Sequence, residues 1–375
     1  MAAAERGPTG HPGAYPGGVR VGSFVGVPVY IGWSWLILAA LITWLRGQDF
    51  QYHYPDLGGG AYLAGLAVAF GLLISVLVHE AAHALSARSF GLRVRRIVAD
   101  LMGGHTAFDG RTTPWSQGVT AASGPLANLL MAAVAYAVAA PMGEGIVART
   151  VLHLAVLNVL LAVFNLLPAL PLDGGQILMA VIWRFTGSSY RGAVVAGWSG
   201  RIMAVLLVVV LLVIPVLQGA TPNLLLTVLV VMIATFLWRG ATQSIIIGRT
   251  RARVEATELS AVLRPVALVP QSAPIQTWWN GPDRVYVTTD ERGQPTGIVR
   301  ADVVTTVPRE QWAQVPASAV AVSRPQGWVH DFAEVPTFGS VLAVMATERL
   351  EALLVVHAGA PQGIVFAADA MRVVE

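Results

Sequence analysis

Up to about residue 250 the hydrophobic positions of this chain fall in long charge-free blocks, and the charges gather where the blocks end. Val21 to Leu45 is one block, bounded by Arg20 and Arg46 and rich in aromatic residues at Tyr30, Trp33, Trp35 and Trp44. Ala61 to about Ala87, Thr112 to Gly143 and Thr150 to Leu172 follow, and Ile202 to Trp238 forms two more, divided at Pro215 to Asn223. A helix needs about 20 apolar residues to cross a bilayer, so the pattern predicts about six transmembrane helices. Pro28 and the neighbouring glycines predict that the first block begins extended or interfacial, and Gly47 to Gly60 reads as a polar loop. Gln176 to Gly197, with Arg184 and Arg191, reads as an interfacial or shallow helix. Arg88, Arg93, Arg95 and Arg96 close the second block, and Arg239, Arg249, Arg251 and Arg253 close the last. Positive charge marks the cytoplasmic side, which places both chain ends inside.

Two stretches interrupt the helical pattern. Leu92 to Asp109 alternates apolar and polar positions, turns at Gly103-Gly104 and continues through His105, Thr106, Ala107 and Phe108, as a β-hairpin or sheet edge would. Asn165-Leu166-Leu167-Pro168-Ala169-Leu170-Pro171-Leu172-Asp173-Gly174-Gly175 carries two prolines and two glycines, which end any regular helix. Broken backbone at membrane depth is tolerated only where protein or a polar cavity surrounds it, so this segment points to a site. From about Glu255 the charges return. Val285–Asp290 leads through a Gly293 turn to Gly297-Ile298-Val299 and Asp302; Leu353–His357 leads through a Gly359 turn to Gly363-Ile364-Val365 and Asp369. Two strand–turn–strand–helix units thus repeat within one smaller soluble domain.

Composition narrows the class. Of the 375 residues, 55% are hydrophobic and only 12% are charged, and the mean hydropathy is +0.63; a soluble chain carries about twice that charge. A net charge of +3 gives no case for nucleic acid, and every basic residue is Arg. There is no Cys, so thiolate ligands and disulfides are excluded and a metal would rest on His and carboxylate. The first twenty residues are Gly- and Pro-rich without an apolar core, unlike a cleavable signal peptide, and read as a flexible cytoplasmic leader.

The candidate chemistry sits in Val76-Leu77-Val78-His79-Glu80-Ala81-Ala82-His83. Four residues advance a helix by slightly more than one turn, so His79 and His83 share a face and can share one metal ion. Glu80 projects beside them, where it can take a proton from an activated water. No charge lies between Asp56 and Glu80, and an ionisable cluster at membrane depth reads as functional. So short a motif also occurs by chance in chains without metal, and the context has to decide. A catalytic zinc takes three protein ligands and leaves a position for water. Asp100 and Asp109 lie in a polar hairpin and read as solvated; His105 stays open as a ligand or substrate contact. His153 precedes Asp173 by twenty residues, roughly 30 Å along a helix, at the wrong end of its span. Asp173, on a Gly-flanked turn at the right depth, is the favoured third ligand. His11, His53, His330 and His357 read as loop or core histidines.

The His79–His83 motif, the Leu172-Asp173-Gly174 turn preceded by Asn165, Pro168 and Pro171, and the run Ser123-Gly124-Pro125 resemble the site-2 protease family of intramembrane zinc metalloproteases. The likeness covers about Val21 to Arg249, and the C-terminal repeat resembles the tandem CBS domain carried by some of the family's sporulation-factor branch. The resemblance implies one Zn²⁺ held by His79, His83 and Asp173, with Glu80 as general base. It implies that Asn165 holds substrate or stabilises an oxyanion, and that the substrate is a membrane-embedded protein cut at or in the bilayer of a bacterial plasma membrane. The expected architecture is a leader over 1–20, a multi-span α-helical metalloprotease domain over 21–249 with a small sheet beside the site, and a cytoplasmic α/β tandem CBS-like domain over 255–375. Arg300 and Phe366 stand where the CBS pattern has a hydroxyl residue, and Asp302 comes one residue early, which weakens the case for nucleotide binding and leaves dimerisation or substrate docking. The rival readings are a CBS-regulated cation transporter or channel lined by the same His, Glu and Asp, and an inactive relative with a structural metal. Pro- and Gly-broken spans suit a transporter, but the first 250 residues show no pair of repeated halves.

Overall fold

The computed structural model describes Tyr15 and residues 17–100, 103–221, 223–325 and 327–374. The chain divides into two compact units, Met1–Gly248 and Arg249–Glu375. Most of the expected leader, residues 1–14 and 16 with His11, lies outside the described residues; Gly18 to Arg20 already belong to a strand.

The first unit opens with β1 (Gly18–Phe24) and β2 (Val27–Gly32), joined by Val25 and Gly26 at φ 48° and 79°. Two successive left-handed residues make the tight turn whose twist suits a hairpin. This sheet takes the place of the first part of the expected Val21–Leu45 span. Its helix α1 starts only at Trp35 and continues to His53, through the stretch Gly47 to His53 that was expected as loop. The central helix α2 (Ala61–Ser89) leads into β3 (Arg93–Asp100) and β4 (Gly103–Asp109). The expected hairpin forms, with Asp100 opposite Gly103, so Gly103 and Gly104 open β4 instead of making the turn. The sheet order is β1-β2-β3-β4, antiparallel except for β2 on β3. β4 is therefore an edge strand.

α3 (Pro114–Ala139) starts on a capping box between Thr113 and Ser116 with Pro114 in its first turn, and α4 (Ile146–Asn165) returns beside it. After the broken segment come α5 (Asp173–Thr186) and α6 (Ser189–Val208), separated by Gly187 at φ 69°. The single shallow helix expected over Gln176–Gly197 is thus two helices. A π-turn (Val209–Val213) links α6 to the short α7 (Ile214–Leu217). Pro215 has no N–H to give the carbonyl four residues earlier, and widening the helix accommodates the loss. α8 (Leu224–Ala256) completes the set. Among the described residues five helical stretches are long and apolar enough to cross a membrane: Pro55–Ser89, Pro114–Met142, Ile146–Asn165, Ser189–Leu217 and Leu224–Ala256. α1 carries Arg46 and Asp49 and falls outside that set.

α2 packs against α1, α3, α4 and the sheet. Inside the bundle, the Asn158 amide donates to Ser75 Oγ at 2.8 Å, which ties α4 to α2 by a polar link of the kind that holds membrane helices together.

In the second unit β5 (Val266–Pro270), α9 (Ile275–Trp278), β6 (Val285–Thr289), β7 (Pro295–Val299) and α10 (Ala301–Thr306) form one half, with β8 (Ala321–Ser323) added at its edge. β9 (Val329–Phe332), α11 (Phe338–Glu348), β10 (Ala352–His357), β11 (Ala360–Phe366) and α12 (Ala367–Val374) form the other. Both halves pair their first two strands in parallel and the next two antiparallel. Each repeat is one strand and one helix longer than the alternation alone showed. Leu353, Leu354, Ile364 and Val365 are fully buried in a core shared with Phe338 and Val341. Leu353→Ala is expected to cost about 2–5 kcal/mol, read as faster amide exchange in β10 and β11 with exchange in α2 to α4 unchanged.

Candidate metal centre

Helix α2 sets His79 and His83 one turn apart, with ring centroids 4.6 Å from each other and planes nearly perpendicular. Both imidazoles and Glu80 are buried. The two Nε2 atoms converge to 3.0 Å. Asp173 arrives from the distant first turn of α5: its Oδ2 lies 3.1 Å from His79 Nε2 and its Oδ1 3.3 Å from His83 Nε2. Ligand atoms about 2.0–2.2 Å from one tetrahedral ion stand about 3.3 Å from each other. The imidazole pair and Asp173 therefore fit one ion. Ligand atoms of His79, Glu80 and His83 also lie within 4.8 Å of one another, and the Asp173 carboxylate lies closer still to both Nε2 atoms, at 3.1 and 3.3 Å.

The loop before Asp173 explains its Gly-Gly sequel. A side chain at Gly174 would collide with the Leu166 and Leu167 carbonyls, and one at Gly175 with the backbone of Ala169 and Leu170. The first turn of α5 thus folds directly onto the broken segment, which contains a cis Leu170–Pro171 bond. That close return carries the carboxylate to the imidazoles.

Helix α3 supplies the outer partners. His83 Nδ1 donates to the Thr120 carbonyl at 2.7 Å, which leaves the Nε2 lone pair facing the centre. The Asn128 amide stands 3.0 Å from His79 Nδ1, and its Oδ1 has no hydrogen-bond partner. A half-turn of the carboxamide puts Oδ1 at that position, where it accepts the Nδ1 proton and frees Nε2 of His79 for a metal. Gly124, between these partners, touches both rings: a Cβ there would meet His83 Nε2 and lie 2.6 Å from His79 Cε1. On the other side, Thr106 Oγ1 on β4 donates to Glu80 Oε2 at 2.8 Å, and a side chain at Gly104 would collide with the Glu80 carboxylate. The edge strand thus holds the acid.

The other candidates separate cleanly. Asp109 is exposed and paired with Arg95. Asp100 packs against Gly32 at the end of β3. His105 lies on β4 opposite Val98, and its side chain lies outside the described residues. His153 is at the far end of α4, 3.4 Å from Asp49. Asn165 closes α4 and makes no side-chain hydrogen bond to the imidazole–carboxylate group. Of these α3 residues the sequence reading picked out Gly124, within Ser123-Gly124-Pro125, and gave no role to Thr120 or Asn128; the signal that singles out Asn128 is an amide fully buried within a span.

The profile of Peptidase family M50 matches residues 67–148 and 140–210, which include both histidines, Glu80 and Asp173. A protein of Mycobacterium tuberculosis named "Putative zinc metalloprotease Rip3" is 31% identical over 303 residues, 75% of this chain and 74% of the relative. The chain belongs to Peptidase family M50. A second relative, named "Putative zinc metalloprotease" in Synechocystis sp., is 29% identical over 358 residues, 90% of each chain. Among solved structures, the site-2 protease of Methanocaldococcus jannaschii matches 61% of this M50 chain and 95% of its own, with 20% identity and a TM-score of 0.45. The CBS domain of a membrane protein from Sphaerobacter thermophilus matches 33% of this chain and 94% of its own, with 19% identity and a TM-score of 0.23.

Gly124→Ala is expected to push the rings apart and abolish stoichiometric divalent metal in the purified M50 chain, measured by elemental analysis. Asn128→Ala is expected to lower metal affinity by about 10–100-fold, measured by competition with a chromogenic chelator.

Proposed function

We propose that this M50 chain is a zinc-dependent intramembrane protease that hydrolyses a peptide bond in or beside a transmembrane segment of a membrane-tethered protein. The observation that carries the reading is the convergence of His79, His83 and Asp173 within 3.3 Å, with buried Glu80 beside them. His79, His83 and Asp173 hold one Zn²⁺. When bound, zinc supplies a Lewis acid that polarises a carbonyl and lowers the pKa of water to about 7. Glu80 is the general base: it accepts the proton of the attacking water and returns it to the leaving amine. Thr106 holds one oxygen of Glu80 in place. Asn165 is assigned to the substrate carbonyl; its amide holds no hydrogen bond among the described residues and is available as a donor to a developing oxyanion.

The edge strand β4 gives the substrate its conformation. Its backbone runs past Glu80, and an extended peptide can add to it as a further strand. Scissile bonds in a helical segment must be unwound before water can reach the carbonyl, and strand addition compensates the backbone groups this exposes.

The arginines beside the end of α2 and along the end of α8 support a reading in which the metal centre, the second unit and both chain ends face the cytoplasm from a bacterial plasma membrane. The second unit acts as a CBS-like dimerisation or docking module over 255–375, after the membrane protease domain over 21–249. Its two expected nucleotide carboxylates are already engaged. Arg264 donates to both oxygens of Asp369 at 2.8 and 2.9 Å and lies over the Phe366 ring. Arg300 pairs with Asp302 and holds that carboxyl below the usual range. The M50 family gives no support to the transporter reading.

In a detergent or bilayer assay with a transmembrane reporter, Glu80→Gln is expected to lower cleavage by about 10²–10⁴-fold while keeping one zinc per chain. Equal rates for the two proteins, measured by gel and mass spectrometry of the fragments, would remove Glu80 as the base. Asn165→Ala is expected to lower the rate less than Glu80→Gln, with metal content unchanged.

A further inference from the structure

Outside the metal centre, one arginine in the membrane-spanning part is held in a way that its own helix does not require. Arg201 lies on α6. Its guanidinium carbon stands 5.0 Å from the ring centroid of Trp198 and 5.0 Å from that of Trp238 on α8. Nη2 donates to Thr242 Oγ1 at 3.1 Å, while Nε is buried without a hydrogen-bond partner. Among the described residues no carboxylate pairs with Arg201. A guanidinium offers five donors in a planar fork, and this one uses a single donor inside the protein.

The depth of the group selects the partner. Sixteen residues separate Arg201 from Leu217 at the end of α7, about 24 Å of helix, and fourteen separate Leu224 from Trp238, about 21 Å. Counted from the turn between those helices, both residues approach the opposite edge of a hydrocarbon core about 30 Å thick. That is the level at which indoles and arginines meet lipid phosphates. Trp198 and Trp238 are each 45% exposed, and neighbouring Ile202 is exposed as well. The surroundings are thus apolar enough for acyl chains, which a soluble anion would not need. A freely snorkelling arginine would be satisfied by any headgroup. Here two indole rings, each 5.0 Å from the guanidinium carbon, hold the group in place, and a fork so held is the geometry that takes two oxygens of one phosphate.

The residues next to this pair carry the loop that presents Asp173. Ser199 Oγ donates to the Pro168 carbonyl. A Cβ at Gly200 would lie 2.6 Å from the Leu170 carbonyl oxygen, and one at Gly240 would lie 2.6 Å from Pro171 Cδ. We propose that Arg201, Trp198 and Trp238 form a binding site for the phosphate of an anionic phospholipid, which joins α6 to α8 where the Asp173 loop is seated.

The test uses the full chain reconstituted in vesicles of phosphatidylcholine with phosphatidylglycerol, extracted into mild detergent and weighed by native mass spectrometry. The wild type is expected to retain phosphatidylglycerol, and Arg201→Gln about tenfold less of it. Arg201→Lys, which keeps charge without the fork, should fall between them. Arg239→Gln, an exposed arginine on the same turn as Trp238, should match the wild type. Should Arg201→Gln elute as aggregate, Trp198→Leu, which removes one stacking face and keeps the charge, is expected to lower retention in its place. Retention by Arg201→Gln or by the folded Trp198→Leu equal to that of the wild type overturns the site. Displacement of the lipid by inorganic phosphate also overturns it, in favour of a soluble anion. None of these readouts depends on proteolysis.

Discussion

Two packing elements must approach one pair of imidazoles, and the space for that approach is set by missing side chains. Helix α3 reaches the rings because Gly124 has no Cβ to meet them, and the first turn of α5 folds back onto its own loop because residues 174 and 175 are glycines. Hydrogen atoms at these positions decide the distances from Asp173 to the two Nε2 atoms, 3.1 and 3.3 Å. A displacement of half an ångström would separate the carboxylate from a shared ion, since metal–ligand lengths tolerate only about 0.2 Å. The chemistry therefore rests on backbone proximity first and on ligand identity second.

Orientation comes from a second ring of contacts, and it comes from different elements. α3 fixes the Nδ1 side of both imidazoles through Thr120 and Asn128. The sheet fixes Glu80 through Thr106 on β4. Glu80 and the two imidazoles are thus held by separate supports, the acid by β4 and the rings by α3. This division also explains why a small sheet adjoins an otherwise helical bundle. A helix there would satisfy its own backbone and leave no edge for an extended peptide.

The residues we propose as ligands stood out in the sequence because their signals are local or rest on depth. His79 and His83 are one helical turn apart, and Asp173 is the carboxylate that follows a Pro- and Gly-broken segment in an apolar stretch. Asn128 and Thr120 were not legible in that sense: their partners lie 49 and 37 residues away, and an isolated amide in a span gives no hint of which ring it meets. The start of the chain misled for a different reason. Val21 to Leu45 is charge-free, yet Val25 and Gly26 turn it back as a hairpin, and sheet pairing with β3 decides its form. Hydropathy reports burial from water and not which backbone satisfies its hydrogen bonds. The second unit showed β6, β7, β10 and β11 through their turns and hid β5 and β9, which join their sheets by parallel pairing and have no tight turn in the sequence to mark them.

The bundle contains a second group of ionisable side chains, and the contrast between the two is instructive. At the far end of α4, Asp49 faces His53, His153 and Arg149, with the Arg149 guanidinium 3.9 Å from the carboxylate and 3.0 Å from His53. One acid there is balanced by one permanent cation of the chain. At the metal centre two acids, Glu80 and Asp173, lie beside the same kind of imidazole pair, and among the described residues no arginine pairs with either. A buried carboxylate is strongly destabilising unless it is paired, and no arginine pairs with these among the described residues. The oxygen and nitrogen donors of Asp173, His79 and His83 converge with no arginine among them and leave room for a cation, whereas the Asp49 group already holds one in Arg149. The charge balance thus distinguishes a site built to bind an ion from one built to hold helices together, where a count of histidines and acids would not.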